Sequence, residues 1–310
     1  MTEVKLRIGK STDLKAELIN VLHDQLSFIM QTCDQMHEAE GGSVHLIRRS
    51  FKKSRAVLRL IRDSIGYSAY FRENRNLRDM HRLLSGAREA NVFIQTLDTV
   101  VEIQPSFQDR DWFKKAKKES VMHHERELEL LLSQDIPGII HENVRLTYDR
   151  IPGYHFRGAG FEIIRPGLMR IYRQGRKQTA CFFEPEVSAW ALHEFRKKAK
   201  YLYYQLELLR PSFPRMLKAT SKILDEITEL LGNYNDYYEA KEKLEALIPH
   251  TRSAQNEAEA FYELLDSRQT EIISKTKQLT EQLYAETPEA FTSRLQVYWE
   301  SWAERNQGMR

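Results

Sequence analysis

The 310-residue sequence has little cysteine and no long apolar run. Only Cys33 and Cys181 occur, and the N-terminal sequence MTEVKLRIGK lacks the apolar core of a signal peptide. Charged residues interrupt every leucine-rich stretch within a few positions, whereas a membrane-spanning helix needs ~20 apolar residues. We therefore expect a cytoplasmic protein in a reducing compartment, without a membrane span.

Proline is absent before Pro105, and the later prolines can separate helices rather than interrupt them. Apolar residues recur at helical intervals along most of the chain, while alternation of period two is hard to find. The pattern predicts helices at residues 11–37, 43–65, 73–103, 111–133, 186–209, 215–246 and 253–284. Ser11, Thr12 and Asp13 are candidate N-caps of the first. The sequence thus predicts an all-α protein.

Turn-forming Pro and Gly residues concentrate in residues 134–167 and predict turns and loops there. We take this stretch as the boundary between two halves of one domain that covers residues 1–310. The expected parts are an N-terminal helical bundle at 10–135, a connecting region at 136–166 and a C-terminal helical bundle at 167–305.

The two halves share an order of chemical types. Residues 45–52 and 193–200 both begin with histidine and continue with basic residues, at an offset of 148 residues. Residues 83–89 match residues 230–236 at an offset of 147. Two separate matches at nearly the same spacing predict an internal duplication.

The net charge is only +3, but the positive charges are unevenly distributed. Residues 44–62 contain no carboxylate, and their helical periodicity places cations on one side and apolar residues on the other. Like charges at this spacing cost roughly 0.2–0.5 kcal/mol per pair in a bare helix, so a polyanion would stabilise them. The segment contains the cations His45, Arg48, Arg49, Lys52, Lys53, Arg55, Arg59 and Arg62, of which His45, Arg48, Arg49, Lys52, Arg55 and Arg59 fall on the cationic side.

Three further basic clusters occur along the chain. They consist of His193, Arg196, Lys197 and Lys200; of Arg165, Arg170, Arg173, Arg176 and Lys177; and of Arg72, Arg75, Arg78, Arg82 and Arg88. The alternative for each cluster is a solvated face that pairs with acids on neighbouring helices. For His45 and His193 the alternative is a capping or core histidine. Repetition favours a shared anion-binding purpose, with all four clusters lining one channel.

These residues resemble the CHAD domain, the conserved histidine α-helical domain, which is built as two related helical bundles. The first copy of its motif is matched by Val44, His45, Arg48, Lys52, Lys53 and Arg55. The second copy is matched by Leu192, His193, Glu194, Arg196, Lys197, Lys200, Leu202, Tyr204 and Glu207, with Tyr203 in place of an expected arginine. Further similarity lies at Leu84, Arg88 and Glu89, at Leu231, Gly232 and Asp236, and at Gly167, Leu168, Arg170, Tyr172, Arg173 and Arg176.

The resemblance implies non-enzymatic binding of inorganic polyphosphate in a basic channel between the bundles, without a cofactor. It also implies a polyphosphate-metabolising protein as a candidate partner, and polyphosphate granules are a candidate location. The expected binding residues are His45, Arg48, Arg49, Lys52, Lys53, Arg55, Arg59, Arg78, Arg82, Arg88, Arg170, Arg173, Arg176, Lys177, His193, Arg196, Lys197, Lys200 and Tyr204. Bound phosphate would favour protonated His45 and His193, so affinity should rise as the pH falls.

Other functions remain open from the sequence. An RNA-binding module could stack bases on Tyr203 and Tyr204, and RNA would then compete with polyphosphate. An enzyme could use His123, His124 and Glu127 around a metal, although HExxH, GxxxxGKS and GxSxG motifs are absent. A scaffold for acidic proteins or anionic lipid is a third alternative.

The four tryptophans are interpreted as packing residues rather than ligand platforms. They are Trp112, Trp190, Trp299 and Trp302. The last two lie three residues apart on one helix face and could instead mediate oligomerisation.

Overall fold

The computed structural model describes residues 4–9, 11–36, 41–184, 186–245, 247–248 and 251–307. Over these ranges the chain forms eleven α-helices and five short 3-10 segments, and no strand. The helices are α1 (Leu14–Asp34), α2 (Gly41–Ile65), α3 (Tyr67–Leu83), α4 (Ser85–Ile103), α5 (Asp111–Ser133), α6 (Ile136–Arg150), α7 (Arg165–Gln178), α8 (Ala189–Leu209), α9 (Pro214–Glu245), α10 (Arg252–Leu283) and α11 (Pro288–Gln307). The all-α prediction is confirmed.

The ends of the predicted helices follow local capping chemistry. Asp13 caps α1, because its carboxylate accepts a hydrogen bond from the Ala16 amide at 3.1 Å. Thr251 caps α10 by accepting from the Ala254 amide at 3.3 Å. Helix α5 has the bounds that the sequence predicts, and the long helices α9 and α10 begin and end within one residue of theirs.

Residues 136–150 correct the prediction of turns and loops, because they form helix α6. Asp135 adopts a left-handed conformation with φ of 48° and accepts from the Gly138 amide at 3.3 Å. Pro137 then occupies the first turn, where its missing N–H costs nothing. The Pro137-Gly138 pair therefore starts a helix that packs against α1.

The single helix predicted at residues 73–103 is divided into α3 and α4 at Leu84, which has φ of −96° and ψ of 11°. The division leaves backbone carbonyls at the end of α3 without helical partners. Arg48 Nη1 from α2 donates to one of them, the His81 oxygen, at 3.0 Å, and to Ser85 Oγ at 3.2 Å. The break thus supplies acceptors to a basic side chain.

The packing order of the first helices is repeated by the later ones. Helix α1 packs against α2 and α6, and α7 packs against α8 and α11. Helix α2 packs against α3, and α8 packs against α9. Helices α2 and α8 start 148 residues apart and also pack against each other. This order agrees with the predicted duplication, which stays a prediction.

Two hydrophobic cores hold the helices together. The larger core contains residues from both halves, including Phe51 of α2, Tyr172 of α7 and Phe195 of α8. A smaller aromatic core joins α4, α5, α9 and α10 around Phe113 and Phe261. Helix α7 approaches α2 so closely that a Cβ at Gly167 would lie 2.0 Å from the Leu60 oxygen, so only glycine fits there.

The tryptophans divide into buried and exposed residues. Trp112 lies in the smaller core, as the sequence predicts. Trp299 and Trp302 lie in the larger core, so the alternative that they mediate oligomerisation is wrong. The packing role predicted for Trp190 is also wrong, because this side chain is 73% exposed. Every helix in the described ranges is too short or too polar to cross a membrane.

Candidate anion-binding site

Five basic side chains from three helices converge where α2 packs against α8, and we call this set the central cluster. It consists of Arg48 and Lys52 of α2, Arg88 of α4, and Arg196 and Lys200 of α8. Burial, and then the positive charges of the other four, lowers the pKa of the Lys52 amine to about 7. The sequence predicted all five as binding residues, and the fold brings them together.

The two arginines of the α2 and α8 motifs are held by backbone oxygens. Arg48 donates to the His81 oxygen at 3.0 Å, and Arg196 Nε donates to the Thr228 oxygen at 2.9 Å. Burial lowers the pKa of both guanidinium groups, to about 10 for Arg48. Gly232 makes room for Arg196, because a Cβ there would lie 2.9 Å from Nη2. This contact gives a physical reason for the Leu231-Gly232 signature.

The lysines of the central cluster have different surroundings. Lys200 Nζ donates to Asp225 Oδ1 and to Thr228 Oγ1, both at 3.0 Å. Its ammonium also lies 4.6 Å from the Tyr203 ring centroid. The Lys52 ammonium has no hydrogen bond or ion pair to any residue that the structure describes. Its charge is therefore available to an external anion.

Asp236 of α9 supplies negative charge to the central cluster. Its electrostatic interactions include those with Arg196 and Arg88, which oppose the burial that raises the pKa of its carboxyl group. The carboxylate of Glu89 likewise favours the charged form of Arg48, because it raises the pKa of that guanidinium group. Both acids belong to the motif residues matched in the sequence. They offset only part of the positive charge.

A second group of cations continues along α2, and we call it the distal group: Arg55, Arg59 and Arg78. Asn74 Oδ1 accepts from Arg55 Nε at 3.2 Å and from Arg59 Nη1 at 2.5 Å. The Arg59 guanidinium also lies 4.2 Å from the Tyr201 ring centroid. These contacts hold two arginines in place without neutralising them.

The remaining predicted cations of α2, α3 and α8 lie around these groups. Arg49 is exposed and contributes to the lowered pKa of Lys200. His45 and His193 are exposed at the starts of their helices. Burial, Lys197 and Arg196 lower the pKa of His193.

Two other predicted ligands already face acids. Lys197 forms an ion pair with Glu194. Arg82 lies 4.0 Å from Asp79, which also accepts from Arg78 at 2.9 Å.

The basic residues of α7 have partners away from the central cluster. Arg170 pairs with Asp63 and donates to the Arg59 oxygen at 2.9 Å. Arg173 donates to Glu289 at 2.8 Å, and Arg176 donates to the Tyr284 oxygen at 3.1 Å. Lys177 is exposed. Arg170 and Arg173 thus pair with acids on other helices, as in the alternative reading of a basic cluster as a solvated face.

Two predicted ligands are buried. Lys53 is only 6% exposed, and its ammonium donates to the Val4 oxygen at 2.7 Å. Tyr204 is only 4% exposed within the larger core. Both side chains lie in the interior, and their role in binding stays a prediction. For Lys53 the cause is helical geometry, because it faces the core one position after Lys52.

Sequence reasoning missed the residues that position the cations. Asn74, Tyr201 and Thr228 each contact a basic side chain, although none of them belongs to a basic run. The position of Asn74 among the arginines of α3 was the feature of the sequence that could have indicated its role. The metal-site candidates His123, His124 and Glu127 do not form a ligand set: within the described ranges no three His, Cys, Asp or Glu residues cluster to hold an ion.

Comparison with known proteins identifies a family for this chain. The CHAD domain family model matches residues 27–245. No curated protein matches the chain.

Two solved structures share the fold. The crystal structure of the CHAD domain from the plant Ricinus communis has 15% identity and a TM-score of 0.57, and the alignment covers 92% of this chain and 94% of that chain. PptA from Streptomyces chartreusis has 13% identity and a TM-score of 0.59, with 88% and 100% covered. At these identities the similarity concerns the fold alone. From the family match, which spans both motif copies, the chain belongs to the CHAD domain family.

Proposed function

We propose that this protein binds inorganic polyphosphate, without chemical conversion, through the central cluster and the distal group. The observation that carries the proposal is the Lys52 ammonium, which has no hydrogen bond or ion pair among the described residues and lies beside four other cations. An unneutralised charge in such a place destabilises the fold. A bound polyanion would remove that cost and gain charge-assisted hydrogen bonds.

The length of the basic surface favours a chain of phosphates over a single phosphate. Lys52 and Arg59 are seven residues apart on α2, which corresponds to roughly 10 Å at about 1.5 Å per residue. Arginine offers forked donors and lysine a mobile point charge, so together they can hold a flexible chain without one fixed register. The family resemblance implies the same ligand and the same channel. We therefore place the polyphosphate chain along α2 and α8.

A non-enzymatic role is part of this proposal. The cations are held by amide, hydroxyl and backbone oxygens such as those of Asn74, Thr228 and His81. These contacts fix donors for an anion and supply no activated nucleophile. Incubation with polyphosphate should leave its chain length unchanged and release no phosphate. Release that the wild-type protein catalyses and a Lys52→Met variant does not would contradict this part of the proposal.

Binding is tested by titrating the protein with long-chain polyphosphate over a salt series, with tRNA as a competitor. We expect affinity to fall steeply with salt, because several phosphates exchange their counterions for side chains. A variant with Arg48, Lys52 and Arg196 neutralised should lose binding. A control with Lys115 and Lys118 of α5 neutralised removes exposed charges outside both groups. Equal loss in both variants would mean that net charge alone governs binding, and the site would be wrong.

RNA binding at Tyr203 and Tyr204 is not favoured as the second function. Tyr204 is buried, and Tyr203 is half-buried against the larger core. Neither ring is thus presented openly to a base.

A further inference from the structure

Two aromatic side chains are exposed at the start of α3. Tyr67 is 60% exposed and Phe71 is 48% exposed. Their rings are stacked, with centroids 5.8 Å apart and planes at 27°. Gly66, with φ of +85°, turns the chain between α2 and α3 and so places the rings beside the end of α2.

Arg62, in the last turn of α2, covers both neighbouring tyrosines. Its guanidinium carbon lies 5.2 Å from the Tyr67 ring centroid and 5.4 Å from that of Tyr70. Arg62 also lies 4.0 Å from Asp63, which forms an ion pair with Arg170. We call Arg62, Tyr67 and Phe71 the aromatic platform.

The aromatic platform continues the basic surface of α2. Arg62 follows Arg59 by three residues, which is nearly one helical turn. The charge of Arg59 lowers the pKa of Arg55, and the phenol group of Tyr70 raises it. From Lys52 to Arg62 the distance is roughly 15 Å at about 1.5 Å per residue, a length that a few nucleotides can cover. Arg72 and Arg75 of α3 are also exposed nearby, where Arg72 pairs with Glu73 and Arg75 lies 3.7 Å from Asp79.

We propose that the aromatic platform stacks bases of single-stranded RNA whose phosphates lie on the cations of α2. Stacked rings with arginine beside them suit planar bases on a phosphate backbone. Polyphosphate has phosphates but no planar group, and an acidic peptide has carboxylates that need cations but not rings. The match of rings and cations therefore selects RNA. The inference does not require that polyphosphate binds.

The experiment compares a short oligouridine with an abasic ribose-phosphate oligomer of the same length, by fluorescence anisotropy at fixed salt. The wild-type protein should bind oligouridine roughly tenfold more tightly than the abasic oligomer, about the effect of one stacked base. In the Tyr67→Ala/Phe71→Ala variant this ratio should fall to about one, with the abasic affinity unchanged. Both side chains are exposed, so circular dichroism should confirm an unchanged fold.

A Phe183→Ala variant is the matched control, because Phe183 is also exposed and the Lys277 ammonium lies 4.1 Å from its ring centroid. It should keep the full ratio. An unchanged ratio in the double variant, or an equal loss in the control, would overturn the proposal. Ring-dependent binding of poly-glutamate in place of oligouridine would also overturn it and identify a protein-docking surface.

Polyphosphate affinity, measured in the same variants, keeps this proposal separate from the preceding one. The double variant should bind polyphosphate as the wild type does. If wild-type protein fails to bind polyphosphate but shows the ring-dependent preference for oligouridine, the proposed function is wrong and the RNA site stands.

Discussion

Helices α2 and α8 carry corresponding residues at an offset of 148, and they use them differently. The motif arginines behave alike, since Arg48 donates to the His81 oxygen and Arg196 to the Thr228 oxygen. The motif lysines differ, because Lys200 donates to Asp225 while Lys52 has no hydrogen bond or ion pair with any described residue. At an offset of 147, Arg78 stands in the first half where Asp225 stands in the second.

The difference shows how one motif can serve two purposes. In the α8 copy the lysine is balanced internally, and it contributes to the packing of α8 against α9. In the predicted duplication, the position that corresponds to Asp225 is occupied by the cation Arg78, so no acid from that position balances Lys52. We infer that α2 supplies most of the affinity for a polyanion and that α8 supplies geometry.

The largest expected effect is the contrast between Lys52→Met and Lys200→Met. Lys52→Met should weaken polyphosphate binding by about 2 kcal/mol, roughly thirtyfold, because one charge-assisted contact is lost. It should also raise the melting temperature of the free protein, since an unneutralised buried charge is removed. Lys200→Met should lower the melting temperature, because Asp225 loses its ammonium partner, and should weaken binding less. Calorimetry and thermal unfolding measure both; equal behaviour of the two variants would refute the comparison.

Gly232→Ala tests whether geometry at α8 matters. Its methyl group would displace the Arg196 guanidinium, the mobile end of a side chain, so the fold should persist. We expect polyphosphate affinity to fall by about 1 kcal/mol, roughly fivefold, from the lost alignment. Gly42→Ala on α2 is the control, because a Cβ there meets no atom within 4 Å. Unchanged affinity in Gly232→Ala would show that Arg196 needs no fixed position.

The pH dependence of binding should report Lys52. Its pKa in the free protein is lowered to about 7, and a bound polyanion would raise it, so binding takes up a proton above that pH. Affinity should therefore be full below pH 7 and fall as the pH rises above 7. The Lys52→Arg variant should lose this slope, because arginine stays protonated. A slope that persists in the variant would assign the proton to another group.

The smallest effect is expected at α7. Arg173 is exposed and donates to Glu289 of α11, which belongs to neither the central cluster nor the distal group. Arg173→Ala should change polyphosphate affinity by less than about twofold, in line with an exposed ion pair. A larger loss in the same titration would extend the binding surface to α7.

Periodicity predicted the helical class and the shared face of Arg48 and Lys52. Arg88, Arg196 and Lys200 were assigned to the same channel from the repeated basic clusters and the family resemblance. An unbroken basic run at helical spacing puts Arg48 and Lys52 on one face, whatever the rest of the fold does. The division of α3 from α4 at Leu84 was missed, although the Ser85-Gly86 dipeptide that follows is typical of a turn. The partners of the cations were also hidden: Asp225 lies 25 residues from Lys200, and only tertiary packing brings them together.

The close packing at Gly167 affects the rate at which a ligand associates. Because α7 lies against the α2 backbone at Leu60, the helix that carries Lys52 is fixed within the larger core before any ligand arrives. A preorganised site spends little free energy on ordering side chains when it binds. Association should then be limited by diffusion and electrostatic steering, and differences in residence time should follow the number of phosphates held.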